Sequence, residues 1–149
     1  MENPVSLNGF IQIALVVKDM ELALDSWGEI LNTERPKVRI NGPDRPNEIY
    51  RGKQAHYSMK FAIIDCKERG FVIELHEPDE NPSTFREFLN KHGNGVHHIG
   101  FKAGDKCNAV LSELEALGYV MRNTTKNNGW TIVDGEDTLG VNLNIKPLK

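Results

Sequence analysis

The side chains able to move a proton or hold a cation fall in a few short clusters. Glu74 and His76 lie two apart in Ile73-Glu-Leu-His-Glu-Pro78, and His98 follows His97 in Gly95-Val-His-His-Ile-Gly-Phe101. The amides Gln12, Asn142 and Asn144 lie near the two ends of the chain. A carboxylate and an imidazole that converge in a cleft are the raw material of a divalent-metal site or of an acid/base pair. Amide oxygens can complete the shell of a hard cation or hydrogen-bond a polar ligand. Taken singly, each of these residues is also an ordinary occupant of a water-facing sheet surface. What sets them apart is the elements that carry them.

The chain contains an internal repeat. Gln12 to Asn32 and His98 to Gly118 align without gaps and match at Ile13/Ile99, Asp19/Asp105, Ala23/Ala109, Ser26/Ser112, Glu29/Glu115 and Leu31/Leu117. Unrelated segments of ordinary composition would share about one or two residues over this length. Such a repeat makes the domain two copies of one supersecondary unit and puts Gln12 and His98 at equivalent places.

The first copy reads as β-α-β-β-β. Phe10 to Val17 alternates as a strand, Asp19 caps a helix with Leu22, Ala23 and Ile30 at helical spacing, and Asn32 to Pro36 breaks it. Val38 to Ile40 is a short strand, Asn41 to Asn47 a loop rich in Gly, Pro, Asp and Asn, and His56 to Asp65 a strand that turns at Lys67 to Gly70 into its partner Phe71 to His76. Pro78 to Pro82 is a linker, and Ser83 caps a short helix, Thr84 to Lys91, ending near Gly93. The second copy repeats the order: strand Val96 to Ala103, helix Asp105 to Leu117, and strands Tyr119 to Asn123, Trp130 to Asp134 and Gly140 to Ile145.

Strand side chains swap faces at every residue. In the opening strands Ile11, Ile13 and Leu15, or Ile99, Phe101 and Ala103, form the apolar face that packs under the following helix, and His97 shares the side of Ile99. Gln12 and Ala14, or His98 and Gly100, take the opposite face. In the closing strands the apolar sets are Phe71, Ile73 and Leu75, and Val141, Leu143 and Ile145; opposite them lie Glu74 with His76, and Asn142 with Asn144. Two curved sheets of this pattern gather Gln12, Glu74, His98 and Asn144 in one concavity, with His76 and Asn142 on its wall. Glu48 is a further carboxylate in the irregular stretch, with a solvated loop as its expected place. Tyr57, Phe61 and Trp130 are suited either to line a pocket or to fill core.

Bulk properties exclude several classes. The 149 residues suffice for one domain, residues 1–149, whereas each half alone would be marginal. A net charge of −3 with interspersed signs offers no basic stripe for nucleic acid. No apolar run approaches a membrane span, and the N-terminus lacks a signal-peptide pattern. Cys66 and Cys107, without metal or redox spacing, read as free thiols of a cytoplasmic protein.

The chain resembles the vicinal oxygen chelate superfamily, which includes glyoxalase I, methylmalonyl-CoA epimerase, extradiol dioxygenases and bleomycin-resistance proteins. The resemblance rests on Ile73 to Pro78, on Pro82-Ser-Thr-Phe-Arg-Glu-Phe-Leu-Asn-Lys-His-Gly93, on Gly95 to Phe101 and on the opening Ile13 to Leu24, and is nearest the epimerase-like and glyoxalase-like branch. It implies an α+β domain of two tandem βαβββ modules (about 8–78 and 94–147, joined by a linker and short helix over 79–93) forming a cupped, eight-stranded mixed sheet, in a homodimer. It also implies a divalent metal ion (Ni, Co, Mn or Zn) on Gln12, Glu74, His98 and Asn144.

Two departures weaken that site. Gln12 stands where epimerase-like members carry His, and Asn144 stands where the last ligand is usually a Glu that doubles as base. An amide brings no charge and cannot take a proton at neutral pH, so metal binding weakens or is lost and Glu74 becomes the candidate catalytic base. The leading functional expectation is an isomerase, epimerase or lyase that abstracts a proton next to a carbonyl of a small oxygenated substrate, thioesters included. The alternative is a resistance-type binder of small molecules that has lost the metal. A ring-cleaving dioxygenase ranks third, because that chemistry uses two histidines and a carboxylate and position 12 is not His.

Overall fold

The computed structural model describes residues 4–125 and 129–148. The first strand, β1 (Phe10–Val16), leads into α1 (Met20–Ile30). Then follow β2 (Arg39–Asn41), β3 (Asp44–Tyr50), β4 (Lys53–His56), β5 (Met59–Cys66), β6 (Phe71–Pro78) and α2 (Thr84–His92). The remainder is β7 (Gly95–Lys102), α3 (Cys107–Ala116), β8 (Met121–Thr125), β9 (Thr131–Val133), α4 (Glu136–Leu139) and β10 (Asn142–Lys146). The helix starts follow the expected chemistry. Asp19 Oδ1 accepts from the Leu22 amide at 3.0 Å, and Ser83 Oγ from the Arg86 amide at 2.9 Å, each satisfying a first-turn N–H that has no partner within the helix.

All ten strands form one mixed sheet, ordered β2-β5-β6-β1-β7-β10-β9-β8-β3-β4 and curled into a half-barrel. At its centre β1 runs antiparallel to β7; β6 lies parallel to β1 on one side and β10 parallel to β7 on the other. The expected eight strands are therefore corrected to ten. The additional pair begins in the expected loop, Asn41 to Asn47, and runs through the irregular stretch after it: Asp44 to His56 is the hairpin β3–β4, and it leaves its own half of the chain to pair with β8, Glu48 opposite Thr125 and Tyr50 opposite Asn123. The segment hides its strand character because the places an apolar residue would fill are taken by a polar network. Buried Glu48 accepts from Tyr57 Oη at 2.5 Å, Asn123 Nδ2 at 3.0 Å and Arg45 Nη1 at 2.9 Å. The strand expected over His56 to Asp65 is correspondingly two, β4 and β5, interrupted at Tyr57 and Ser58. Short α4, capped at Gly140 with φ 83°, precedes the last strand, which starts at Asn142 where Gly140 was expected.

Helices α1 and α3 cover one face of the sheet as expected, and α2 lies on the other. Met20 and Leu24 of α1 pack on Ala62, Ile64 and Leu75, while Cys107, Val110 and Leu114 of α3 pack on Phe101, Val133, Leu143 and Ile145. Phe85, Phe88 and Leu89 of α2 form a third cluster with Val16, Tyr57 and Met59. The opposite face is not water-facing. Gln12, Ala14 and Val16 are fully buried, and Glu74, His76, His98, Asn142 and Asn144 are buried with them. No helix among the described residues is long and apolar enough to cross a membrane. Cys66 is exposed and Cys107 buried, both without a disulfide.

Candidate functional site

Four central strands deliver one polar side chain each to a common point. Gln12 Nε2 on β1 lies 2.5 Å from Glu74 Oε1 on β6 and 2.9 Å from His98 Nε2 on β7. Asn144 Nδ2 on β10 is 3.4 Å from the same His98 nitrogen. Gln12 can cross beneath β7 because its neighbour there is Gly100, whose missing side chain leaves the room.

His76 completes the centre, its Nε2 being 3.2 Å from Glu74 Oε1. Glu74, His76 and His98 each offer a ligand atom, all within 4.8 Å of one another. The second imidazole missing at position 12 thus comes from position 76, the next residue on the same face of β6. Phe61 and Phe85 hold its ring, with centroids 5.1 and 4.8 Å away.

Above this centre opens a cavity of about 180 Å³. Glu74, His76, His98 and Asn144 form its floor, and Phe61, Phe85, Trp130 and Ile132 its apolar wall. Gln12 sits beneath the floor, and Tyr57 belongs to the core. Asn142 turns away from the cavity, donating to the His97 carbonyl at 3.1 Å and accepting from the Gly135 amide at 3.2 Å.

Two basic residues at the cavity are absent from the sequence reading. Lys146 Nζ lies 3.8 Å from Glu74 Oε2. Strand alternation could have found it, since it follows Asn142 and Asn144 on one face of β10. Arg45 had no such signal, because its strand was disguised; its guanidinium lies 3.9 Å from the Tyr57 ring and is spent on Glu48 and the Tyr57 carbonyl.

His97 also departs from simple alternation. His98 pairs with Ala14 and Val96 with Leu15, so the register shifts and His97 is the extra residue between them. Instead of joining Ile99 under α3, it stacks on Phe85 of α2 with centroids 4.7 Å apart.

The electrostatics separate the groups. Burial raises the Glu74 carboxyl, but the hydrogen bond and charge of His76 and the charge of Lys146 outweigh it, holding the group below the usual carboxylate range and therefore ionised at neutral pH. Burial, followed by the charges of His97, His76 and Lys146, pushes His98 well below the usual imidazole range, so it is neutral.

The donor set fits a divalent cation. It contains an ionised carboxylate, neutral imidazole nitrogen and two buried amide oxygens, Gln12 Oε1 and Asn144 Oδ1, that have no hydrogen-bond partner. His76 Nδ1 is unpartnered as well.

Residues 11–133 match the family model of the glyoxalase/bleomycin resistance protein/dioxygenase superfamily. Among solved structures, the methylmalonyl-CoA epimerase of Mycobacterium tuberculosis superposes with a TM-score of 0.67 at 16% identity, covering 100% of this chain and 94% of that one. A variant of the Streptomyces coelicolor methylmalonyl-CoA epimerase, in complex with 2-nitronate-propionyl-CoA, superposes with a TM-score of 0.60 at 17% identity, covering 94% and 96%. A variant of 4-hydroxymandelate synthase from the same organism reaches 0.54 at 17% identity over 75% of this chain and 31% of its own. At these identities the likeness shows the fold. No curated protein matches the chain.

Proposed function

The chain belongs to the glyoxalase/bleomycin resistance protein/dioxygenase superfamily, and from that premise we propose that it is an isomerase or epimerase that moves a proton at the carbon next to a carbonyl of a small oxygenated substrate. The observation that carries this reading is the ionised Glu74 on the floor of a cavity with an apolar wall of Phe61, Phe85, Trp130 and Ile132, flanked by the Lys146 ammonium and by hydrogen-bond donors. Its Oε1 is occupied by Gln12 and His76, whereas Oε2 meets only Lys146 among the described residues, at 3.8 Å. Oε2 is therefore the atom that accepts and returns the substrate proton.

Removing that proton places negative charge on the carbonyl oxygen. The Lys146 ammonium, which keeps Glu74 ionised, is the fixed charge suited to that oxygen, and Asn144 Nδ2 a neutral donor. The apolar wall excludes water and strengthens both interactions. Glu74, His76 and His98 would hold a divalent cation here, with Gln12 and Asn144 turning their unpartnered oxygens toward it. Bound, such an ion supplies Lewis-acid polarisation of the carbonyl. A thioester substrate is consistent with the folds that resemble this one, two of which are epimerases named for methylmalonyl-CoA.

One observation favours a second reading, a binding protein without turnover. The Gln12 NH2 bridges Glu74 and His98, in the place between a carboxylate and an imidazole that a cation would use. Incubation with candidate 2-substituted acyl thioesters and small hydroxy-ketones in deuterated water separates the two. Carbon-bound deuterium, lost in Glu74→Gln, is the expected result; ligand binding without exchange overturns the enzymatic reading.

A further inference from the structure

His97 and His98 form a hydrogen-bonded chain that runs from Thr84 to the cavity. His97 Nε2 lies 3.2 Å from the Thr84 carbonyl oxygen and 3.0 Å from Thr84 Oγ1. A carbonyl oxygen only accepts, so that contact is a hydrogen bond when His97 carries its proton on Nε2, a state the Thr84 hydroxyl can also accept from. A neutral ring protonated at Nε2 has a bare Nδ1.

That bare nitrogen is 2.8 Å from His98 Nδ1, so His98 is the donor of the pair. A singly protonated ring that donates from Nδ1 to His97 has no proton on Nε2. The cavity end independently requires the same polarity, since two amide nitrogens, Gln12 Nε2 at 2.9 Å and Asn144 Nδ2 at 3.4 Å, face that atom as donors. The register shift in β7 places His97 for this role, Phe85 stacks on its ring, and Asn142 holds its carbonyl.

We propose that His97 is a positioning residue: it accepts the Nδ1 proton of His98 and thereby fixes the tautomer in which His98 presents a permanent electron pair at Nε2 to the cavity. The chain Thr84–His97–His98 ties the first turn of α2 to the site. For the cation site described above, on which this consequence rests, it keeps His98 ready as a ligand without a change of protonation. It also bars His98 from acting as a proton donor into the cavity.

The test is two-bond 15N–1H correlation of the histidine rings in metal-free protein at neutral pH. Wild type is expected to show His98 protonated at Nδ1 and bare at Nε2, and His97 the reverse. His97→Asn, whose Oδ1 can accept in place of Nδ1, should keep the His98 pattern. His97→Phe, a flat ring without an acceptor, should release it. Co2+ titration should then show an affinity about 10- to 100-fold lower in His97→Phe and within a few-fold of wild type in His97→Asn. A wild-type His98 carrying its proton on Nε2, or a retained Nδ1–H in His97→Phe, overturns the proposal. The stated tautomers with no Co2+ binding in any protein would overturn the cation site while supporting the role of His97.

Discussion

Gly100 lies opposite Gln12 across the central β1–β7 pair, and a Cβ placed on it would stand 2.8 Å from both Cβ and Oε1 of Gln12. Real Cβ atoms do not approach that closely. The glycine is therefore the space through which the Gln12 amide reaches Glu74 and His98. Gly100→Ala is expected to cost about 1–3 kcal/mol in urea unfolding, as overpacking does. In a Gln12→Gly background the same substitution should cost much less, because the Cβ, Cδ and Oε1 atoms in conflict are then gone. Additive losses in the double variant would place the strain elsewhere.

A second prediction concerns which side chains hold a cation. Equilibrium dialysis against Co2+ or Zn2+ is expected to lose binding in His98→Ala, Glu74→Gln and His76→Ala, with a smaller effect in Asn144→Ala, because imidazoles and a carboxylate bind these ions more strongly than an amide. If Asn144→Ala abolishes binding and His76→Ala does not, the ligands are the set expected from the family resemblance, not the cluster centred on His76.

The polar network under the hairpin should be costly to break. Glu48 and Arg45 are nearly enclosed, with 6% and 12% of their side chains exposed, and Glu48→Gln would leave the Arg45 guanidinium without a counter-charge. A loss of about 3–5 kcal/mol is expected. Arg35→Met, which breaks ion pairs to Glu21 and Asp25 at an exposed position, should change stability by no more than about 1 kcal/mol. Thermal or urea unfolding of both variants checks the contrast; equal effects would show that the hairpin does not depend on this pair.

Stability should fall with acid from an unusually high pH. His97 and His98 are neutral in the fold, chiefly because burial disfavours their charged forms. In the unfolded chain both take up protons below about pH 6.5. Between that value and about 3 for His97, the unfolded state binds more protons than the native one, so the stability present above pH 6.5 is lost as pH drops. The slope approaches about 1.4 kcal/mol per pH unit for each histidine. Glu74, whose folded value is also depressed, adds its loss only lower, beneath the ordinary carboxylate range. Urea midpoints of metal-free protein between pH 7 and 5 should therefore fall, with about half the slope in His97→Asn. An unchanged slope would mean that the His97 ring is not the source.

Much of the fold was legible in the chain. The period-two alternation of β1, β5, β6 and β7 and the caps Asp19 and Ser83 are local signals, and local structure followed them. The convergence of Gln12, Glu74, His98 and Asn144 was legible for a related reason. A repeat puts equivalent strands at equivalent places, and alternation then decides which side chains share a face. Three features were not legible. The β3–β4 hairpin is a strand pair whose buried positions are polar, so no hydrophobic period marks it, and its partner β8 lies in the other half of the chain. His97 escapes alternation because one shifted register turns two successive imidazoles into neighbours. Arg45 reaches the cavity only by way of that disguised hairpin.

By itself, then, the amino-acid sequence determined the central strands with their helices, the helix-covered face and the identity of the polar residues on the other face, because these depend on neighbours close in the chain. Only the tertiary structure decided that the polar face is an enclosed interior. It also decided that Lys146 stands beside Glu74 and that a chain of bonds from Thr84 orients His98. Those outcomes depend on how far the sheet curls and where a register slips, and both are set by contacts between residues far apart in the chain.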